Sequence, residues 1–236
     1  MLTKRALLTK TAKRDAAGVH NASRERRARE KEALRESILR AAGEVFLERG
    51  YDGLSMRGVA ERIGYTATTI YLYFKDKDDL LFALLDEGYA DLSRRLAEAA
   101  AAEHDPLRRL TAIGRAYIAF GLERPLLYQV MFMRRADFLA ARLKQRHETR
   151  INAFDVLQQA VTDALDAGAL KPGDVMIYAL SMWALVHGVV SLAITLPLTD
   201  ASLVERLTEI AMAATLGSVQ TATDVTPGHK KPHRGV

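Results

Sequence analysis

The sequence predicts an all-α protein of about nine helices, with a small three-helix head at the N-terminus and a larger helical body behind it. Three observations carry this. Apolar residues recur at three- and four-residue spacing along most of the chain, while the alternation expected of strands is nearly absent. Helix openings and endings are marked by Ser, Thr, Asp and Pro on one side and Gly on the other. The 236 residues are 49% hydrophobic and 27% charged, enough to bury a core without covalent staples. No cysteine is present, which excludes a disulfide framework, thiolate metal sites and a cysteine nucleophile.

The first firm helix is expected from about Glu32 to Arg49, with Leu34, Ile38, Ala41, Ala42, Val45 and Phe46 as its apolar stripe and Gly50 as its stop. A turn at Tyr51-Asp52-Gly53 follows. Ser55 caps a short helix from Met56 to Ile63, ended by Gly64. Thr66 caps another, Ala67 to Phe74. Asp76 caps a long one to about Ala102, with Leu80, Leu81, Leu84, Leu85, Tyr89, Leu92 and Leu96 on one side. Pro106 opens the next, since a first helical position needs no N–H, and it runs to about Leu122. Pro125 opens a short helix to Met133. A long amphipathic helix is expected from Ala136 to Ala167, closed by Gly168. Pro172 opens an apolar helix ending near Pro197, and Ser202 to about Val219 is the last. The tail from Thr221, with two prolines and two glycines, reads as disordered.

The net charge of +5 is unevenly spread. Residues 1–31 carry ten Lys/Arg against three acids, whereas residues 32–80 carry seven against nine. A basic arm beside an acidic-leaning head is suited to phosphate, or is simply a solvated terminus. The start, Met1 to Lys10, has basic residues but no apolar run of signal-peptide length, so a cytoplasmic location is expected. Between Asp174 and Asp200 there is no Lys, Arg, Asp or Glu. That length could span a bilayer, but Ser181, His187, Gly188, Ser191 and Thr195 interrupt it and no basic flank accompanies it. A buried core helix has the same composition, and no membrane partner is expected.

Two short helices joined by Gly64-Tyr65-Thr66 make a helix-turn-helix pattern. Val59, Ala60 and Ile63 would face Ile70 across it, leaving Ala67, Thr68, Tyr71 and Leu72 outside. The stretch 41–85 resembles the TetR family of transcriptional regulators. The resemblance rests on Phe46, Gly50-Tyr51, Ser55, Ala60, Gly64-Tyr65-Thr66, Ile70-Tyr71, Tyr73-Phe74, Lys77 and Asp79-Leu80-Leu81. Two departures are Thr68, where many members have Gly, and Tyr65, where a small aliphatic is common; no operator sequence carries over. Chemistry and resemblance together assign DNA contacts. Ser55 and Arg57 suit phosphate, and Thr66, Thr68 and Thr69 offer hydroxyls. Ala67 and Thr68 can touch a thymine methyl, Tyr71 and Tyr73 can give phenolic O–H groups to phosphate, and Lys77 gives a point charge.

In the body, Trp183 to Gly188 resembles the Trp-x-x-x-His-Gly signature of one TetR C-terminal domain type, named WHG after those residues. The resemblance implies an effector cavity, with Tyr117, Phe120, Arg124, Tyr128, Phe132, Trp183 and His187 as its expected wall. His187 alone could equally be a satisfied core histidine. The resemblance also implies a homodimer through residues 172–196 and 202–219, with Leu203, Leu207, Ile210, Ala211, Ala214 and Leu216 as the stripe of the last helix.

The domains expected are a flexible basic arm (1–31), a helix-turn-helix DNA-binding domain (32–78), an effector-binding and dimerisation domain (79–220) and a tail (221–236). The function expected is a ligand-responsive regulator of transcription, a repressor released from a double-stranded operator by a small molecule, with activation as the other sign. It needs no cofactor, metal or catalytic residue. The rivals are a helical enzyme using His187 and a membrane-associated helical protein; His187 has no acid near it in sequence, and no metal-ligand spacing or phosphate loop appears.

Overall fold

The computed structural model describes residues 2–133, 152–196 and 200–219. Among them are nine helical segments and no β-strand. They are α1 (Leu2–Gly53), α2 (Met56–Ile63), α3 (Ala67–Tyr71), α4 (Lys77–Ala101), α5 (Pro106–Glu123), α6 (Pro125–Tyr128, continued as a π-helical turn Gln129–Met133), α7 (Ala153–Asp166), α8 (Val175–Thr195) and α9 (Ala201–Val219). The chain divides into two compact units, Met1–Gly88 with Leu126–Glu148, and Tyr89–Pro125 with Thr149–Val236.

Several ends fall where the cap chemistry places them. Ser55 has extended backbone and accepts from the Gly58 N–H at 3.1 Å, and Gly64 ends α2 at φ 73°. Thr66 accepts from the Thr69 N–H at 3.3 Å, Asp76 from Asp79 at 2.8 Å, Asp105 from Arg108 at 2.8 Å and Asp174 from Ile177 at 3.0 Å. Each bond occupies one of the donors that a helix start leaves without an internal partner. Gly50 breaks α1 at φ 69°, as expected of the stop.

Four boundaries differ from expectation. The first helix begins at Leu2, not Glu32, because the arm is rich in Ala, Arg and Lys, all strong helix formers. Helix α3 stops at Tyr71 rather than Phe74. No continuous helix runs from Ala136: Asn152 is an N-cap, with its side chain on the Phe154 N–H and Asp155 reaching back in a capping box. The rest of that expected helix, and the tail from Thr221, lie outside the described residues. Finally, Asp174 rather than Pro172 opens α8.

In the first unit, α1 buries Ile38, Ala41, Ala42, Val45 and Phe46. Against these lie Val59 and Ala60 of α2, Ile70 of α3, and Leu80, Leu81 and Leu85 of α4, all at most 2% exposed. Side chains of this size contribute about 1.5–3 kcal/mol each on full burial. The segment from Leu126 returns to this core. A Cβ on Gly43 would sit 3.3 Å from Leu126, and one on Gly88 only 2.6 Å from Met131 Sδ, so two glycines admit it. The unit is thereby larger than the expected head of residues 32–78.

In the second unit, α5 packs against α7, α8 and α9. Gly114 lets Met212 approach to 2.6 Å of where a Cβ would be. Arg109 to Asp163 at 2.7 Å and Arg115 to Glu205 at 2.8 Å tie α5 to α7 and α9. By length and composition α8 could cross a membrane, with a mean hydropathy of 1.8 over its best window. It instead buries Ala179, Met182, Val186, Val189 and Val190 within this unit. Met176, Ile177, Leu180 and Leu192 of the same helix are exposed, as is Leu196 at its C-cap. The expected stripe on α9 divides: Ala211 is buried with Val204, Thr208 and Met212, while Leu203 and Ile210 are exposed.

Candidate nucleic-acid interface and effector-binding residues

The reading surface in the first unit is built by the two caps and the turn between them. After Gly64, the chain re-enters a helix at Thr66, whose hydroxyl oxygen also lies 3.0 Å from that of Thr69. A capping hydroxyl uses an oxygen lone pair and keeps its own proton to donate. Ser55, Thr66 and Thr68 are exposed, and Ala67 and Thr69 half-buried. Tyr71 is 57% exposed, Tyr65 49% and Leu72 78%. These side chains lie open to solvent, while α3 buries its other side through Ile70. Arg57 is exposed and pairs with Glu61 at 2.8 Å, one turn along α2.

Two features of this surface have no signal in the sequence. Arg62 of α2 reaches Glu48 of α1 with both terminal nitrogens, at 2.6 and 2.5 Å, and Glu44 at 3.3 Å. This clamps the supporting helix to α1, and the guanidinium holds the Glu48 carboxyl below its ordinary range. Lys77 is half-buried rather than free in solvent. Its ammonium donates to the Tyr51 carbonyl at 3.1 Å and sits 3.9 Å from the centre of the Tyr51 ring. The Tyr51 hydroxyl donates to Asp78, which pushes its own ionisation up. The Lys77 ammonium is thus held in place by the backbone and the ring of Tyr51. Tyr73 is half-buried, and its backbone N–H closes the end of α3 on the Ile70 carbonyl at 2.9 Å.

Of the seven residues expected to wall an effector cavity, Tyr117, Phe120, Arg124, Trp183 and His187 belong to the second unit and Tyr128 and Phe132 to the first. Tyr117, Trp183 and His187 come together in the second unit. Trp183 Nε1 donates to the Tyr117 hydroxyl at 3.0 Å, and that hydroxyl lies 3.2 Å from His187 Nδ1. The Trp183 and His187 rings are 5.6 Å apart, as one helical turn on the same face requires. Burial pushes His187 below its usual value. A neutral imidazole accepting at Nδ1 uses the proton that Tyr117 has left after accepting from Trp183. Phe154 of α7, outside the expected set, adds an edge contact to Trp183 at 6.2 Å.

Phe120 and Arg124 belong to a different cluster of that unit. Phe120 is fully buried, with the Arg95 guanidinium 5.8 Å from its ring centre. Arg124 is half-exposed and lies 3.4 Å from Asp91, which Arg94 and Arg95 also approach at 2.5 and 3.2 Å. Tyr128 and Phe132, 4.9 Å apart, sit in the first unit, where Tyr128 is fully buried. Their segment follows Pro125 into the core at Gly43 and Gly88, a long-range packing choice that aromatic composition does not encode. Among the described residues, no group of three or more His, Cys, Asp or Glu could hold a metal ion.

Residues 38–84 match the family described as bacterial regulatory proteins, tetR family. Residues 110–215, which include Trp183, His187 and Gly188, match the tetracyclin repressor-like C-terminal domain. The chain is 26% identical over 142 residues to the fatty acid metabolism regulator protein of Bacillus subtilis (strain 168), covering 58% of this chain and 70% of that protein. It is 36% identical over 64 residues to the HTH-type transcriptional repressor AcnR of Corynebacterium diphtheriae, covering 27% and 34%. A TetR family transcription regulator from Marinobacter aquaeolei VT8 has the same fold, with a TM-score of 0.68 at 20% identity over 83% of this chain and all of that one. The helix-turn-helix geometry and both family matches, which between them take in most of the chain, agree: this protein belongs to the TetR family of DNA-binding transcriptional regulators.

Proposed function

We propose that the protein is a homodimeric repressor that leaves its operator when a small molecule binds the second unit. The observation that carries the DNA side is the open face of α3, where Tyr71 and Leu72 stand exposed beside the capping hydroxyls of Ser55 and Thr66. Phosphates would take Ser55, Arg57, Tyr71, Tyr73 and Lys77; base edges would take Thr66, Ala67, Thr68 and Thr69. Repression is the sign suggested by the name of the AcnR relative, whose likeness lies in a short stretch.

Dimerisation would use the exposed apolar residues of the last two helices, Ile177, Leu180, Leu192, Leu196, Leu203 and Ile210. A soluble chain gains by covering a row of this kind, and a two-fold partner presents the same row. Two α3 helices would then meet half-sites about one helical turn, roughly 34 Å, apart. The effector would contact the Tyr117–Trp183–His187 group and favour a body conformation whose two heads no longer fit both half-sites. To move a 1:99 equilibrium to 99:1, it must prefer that conformation about ten-thousand-fold. Helix α4 carries residues of both units in one continuous stretch, Lys77–Ala101, and is the element through which such a preference would travel. A cytoplasmic location accords with this role.

The test is a footprint on the DNA upstream of the protein's own gene, followed by a transcription reporter with and without the protein. Protection of two half-sites and a rise in transcription on removing the protein are expected. A fall on removal makes it an activator, and no protected site overturns the reading of α3.

A further inference from the structure

The first helix carries a feature outside both family matches, which begin at residue 38. From Leu2 it runs as one element into the core stripe of the first unit. Along it, Arg24, Arg27 and Lys31 follow one another at three- and four-residue steps, so they share one face. Glu25 and Glu30 fall on other faces. Arg26 pairs with Glu30 at 3.5 Å, off the stripe. Arg24, Arg27 and Lys31 are exposed and form no ion pair among the described residues. One face thus carries cations alone, while Arg26 and Arg29 share the other faces with the acids.

This sorting runs against what a solvated helix gains. Mixed signs at four-residue spacing stabilise an isolated helix, while like charges at that spacing destabilise it by a few tenths of a kcal/mol per pair. A row of cations is favourable where a polyanion meets it. The row is about 10 Å long from Arg24 to Lys31 at 1.5 Å per residue. It leads into the unit that holds α3, whose own stretch 32–80 has two more acids than bases.

We propose that the face of α1 bearing Arg24, Arg27 and Lys31 is a second, sequence-independent DNA contact. It would lie along the phosphates of duplex flanking the half-site read by α3. This rests on the DNA-binding reading of the protein and adds to it the contact that supplies the head's missing positive charge. Each phosphate neutralised releases counterions, so each cation on the row contributes about 0.9 to the slope of log K against log salt.

Two doubles of equal charge change separate the row from charge in general: Arg24→Gln with Arg27→Gln on the row, and Arg26→Gln with Arg29→Gln off it. Gln is a good helix former and all four sites are exposed, so both variants keep the fold, which circular dichroism checks. Binding of the full chain to a fluorescein-labelled 40-base-pair duplex of arbitrary sequence is followed by anisotropy at several salt concentrations between about 50 and 200 mM. The on-row double is expected to flatten the slope by about 2 per bound chain and the off-row double by less than half of that. Equal effects of the two doubles, or unchanged slopes in both, overturn the proposal while leaving the reading of α3 intact. Should wild type bind no duplex at all, both fail. If the on-row double instead loses only binding to vesicles containing phosphatidylserine, the face belongs to a lipid surface and the DNA assignment is wrong.

Discussion

Tyr117→Phe removes one oxygen from the second unit and leaves the ring in place. The residue is 4% exposed, so no water stands ready to replace the hydroxyl. Two interactions are lost, with Trp183 Nε1 at 3.0 Å and with His187 Nδ1 at 3.2 Å. At about 0.5–1.5 kcal/mol net for each hydrogen bond, the variant should be less stable by about 1–3 kcal/mol. For a chain of this length, that lowers the midpoint by about 2–12 °C. The protein has a single tryptophan, and it is Trp183. Its fluorescence therefore reports melting of the second unit alone, which matters because a chain of two units need not melt as one. A cycle with His187→Gln isolates the shared bond, and coupling of about 0.5 kcal/mol or more is expected for residues in direct contact. If Tyr117→Phe melts with wild type, or if the two substitutions add without coupling, the hydroxyl does not join these residues.

Three other outcomes are expected. Burial holds His187 below its usual 6.5, so its contribution to stability is complete above that pH and is lost as pH falls, because the unfolded chain takes up the proton first. The midpoint of wild type should fall more steeply than that of His187→Gln on going from about pH 7 to 5, and parallel curves would remove the histidine from the account. Gly64→Ala places a Cβ at φ 73° with no neighbour to clash, so backbone strain of about 1–2 kcal/mol is its whole cost; a neutral urea midpoint refutes the left-handed turn. Ile177→Glu with Ile210→Glu, at 59% and 68% exposure, should give a monomer in sedimentation equilibrium with helicity retained, and a persistent dimer would move the interface elsewhere.

The local parts of the fold were legible because they depend on neighbouring residues. Ser55, Gly64, Thr66 and Asp105 mark their helix ends through chemistry within three or four positions, and those ends fall where expected. Asn152 was missed although it is the same kind of cap, since apolar periodicity continued across it and masked the break. Contacts between distant turns left no trace. Nothing in the spacing says that Lys77 finds the carbonyl of Tyr51, or that Arg62 chooses Glu48 and Glu44 over other acids. Within the expected effector wall, side-chain contacts join Tyr117, Trp183 and His187. Trp183 and His187 are coupled by one turn of a helix, whereas Tyr128 and Arg124 are placed by which core their segments enter.

The hydroxyl caps of α2 and α3 also constrain how this protein can drift over generations. As caps alone, Ser55 and Thr66 are interchangeable with Asp or Asn, which start helices equally well. On the DNA-facing surface proposed for them, Asp is excluded. A carboxylate at either position would hold the helix and set a fixed negative charge against the polyanion, and alanine would avoid that charge and release the helix. The substitutions open to both positions are those that satisfy the helix and the polyanion together, a short neutral side chain bearing both an acceptor and a donor. Ser, Thr and Asn meet that description. A lineage exploring new operators can therefore vary the outward residues of α3 freely while its two entry points stay chemically narrow.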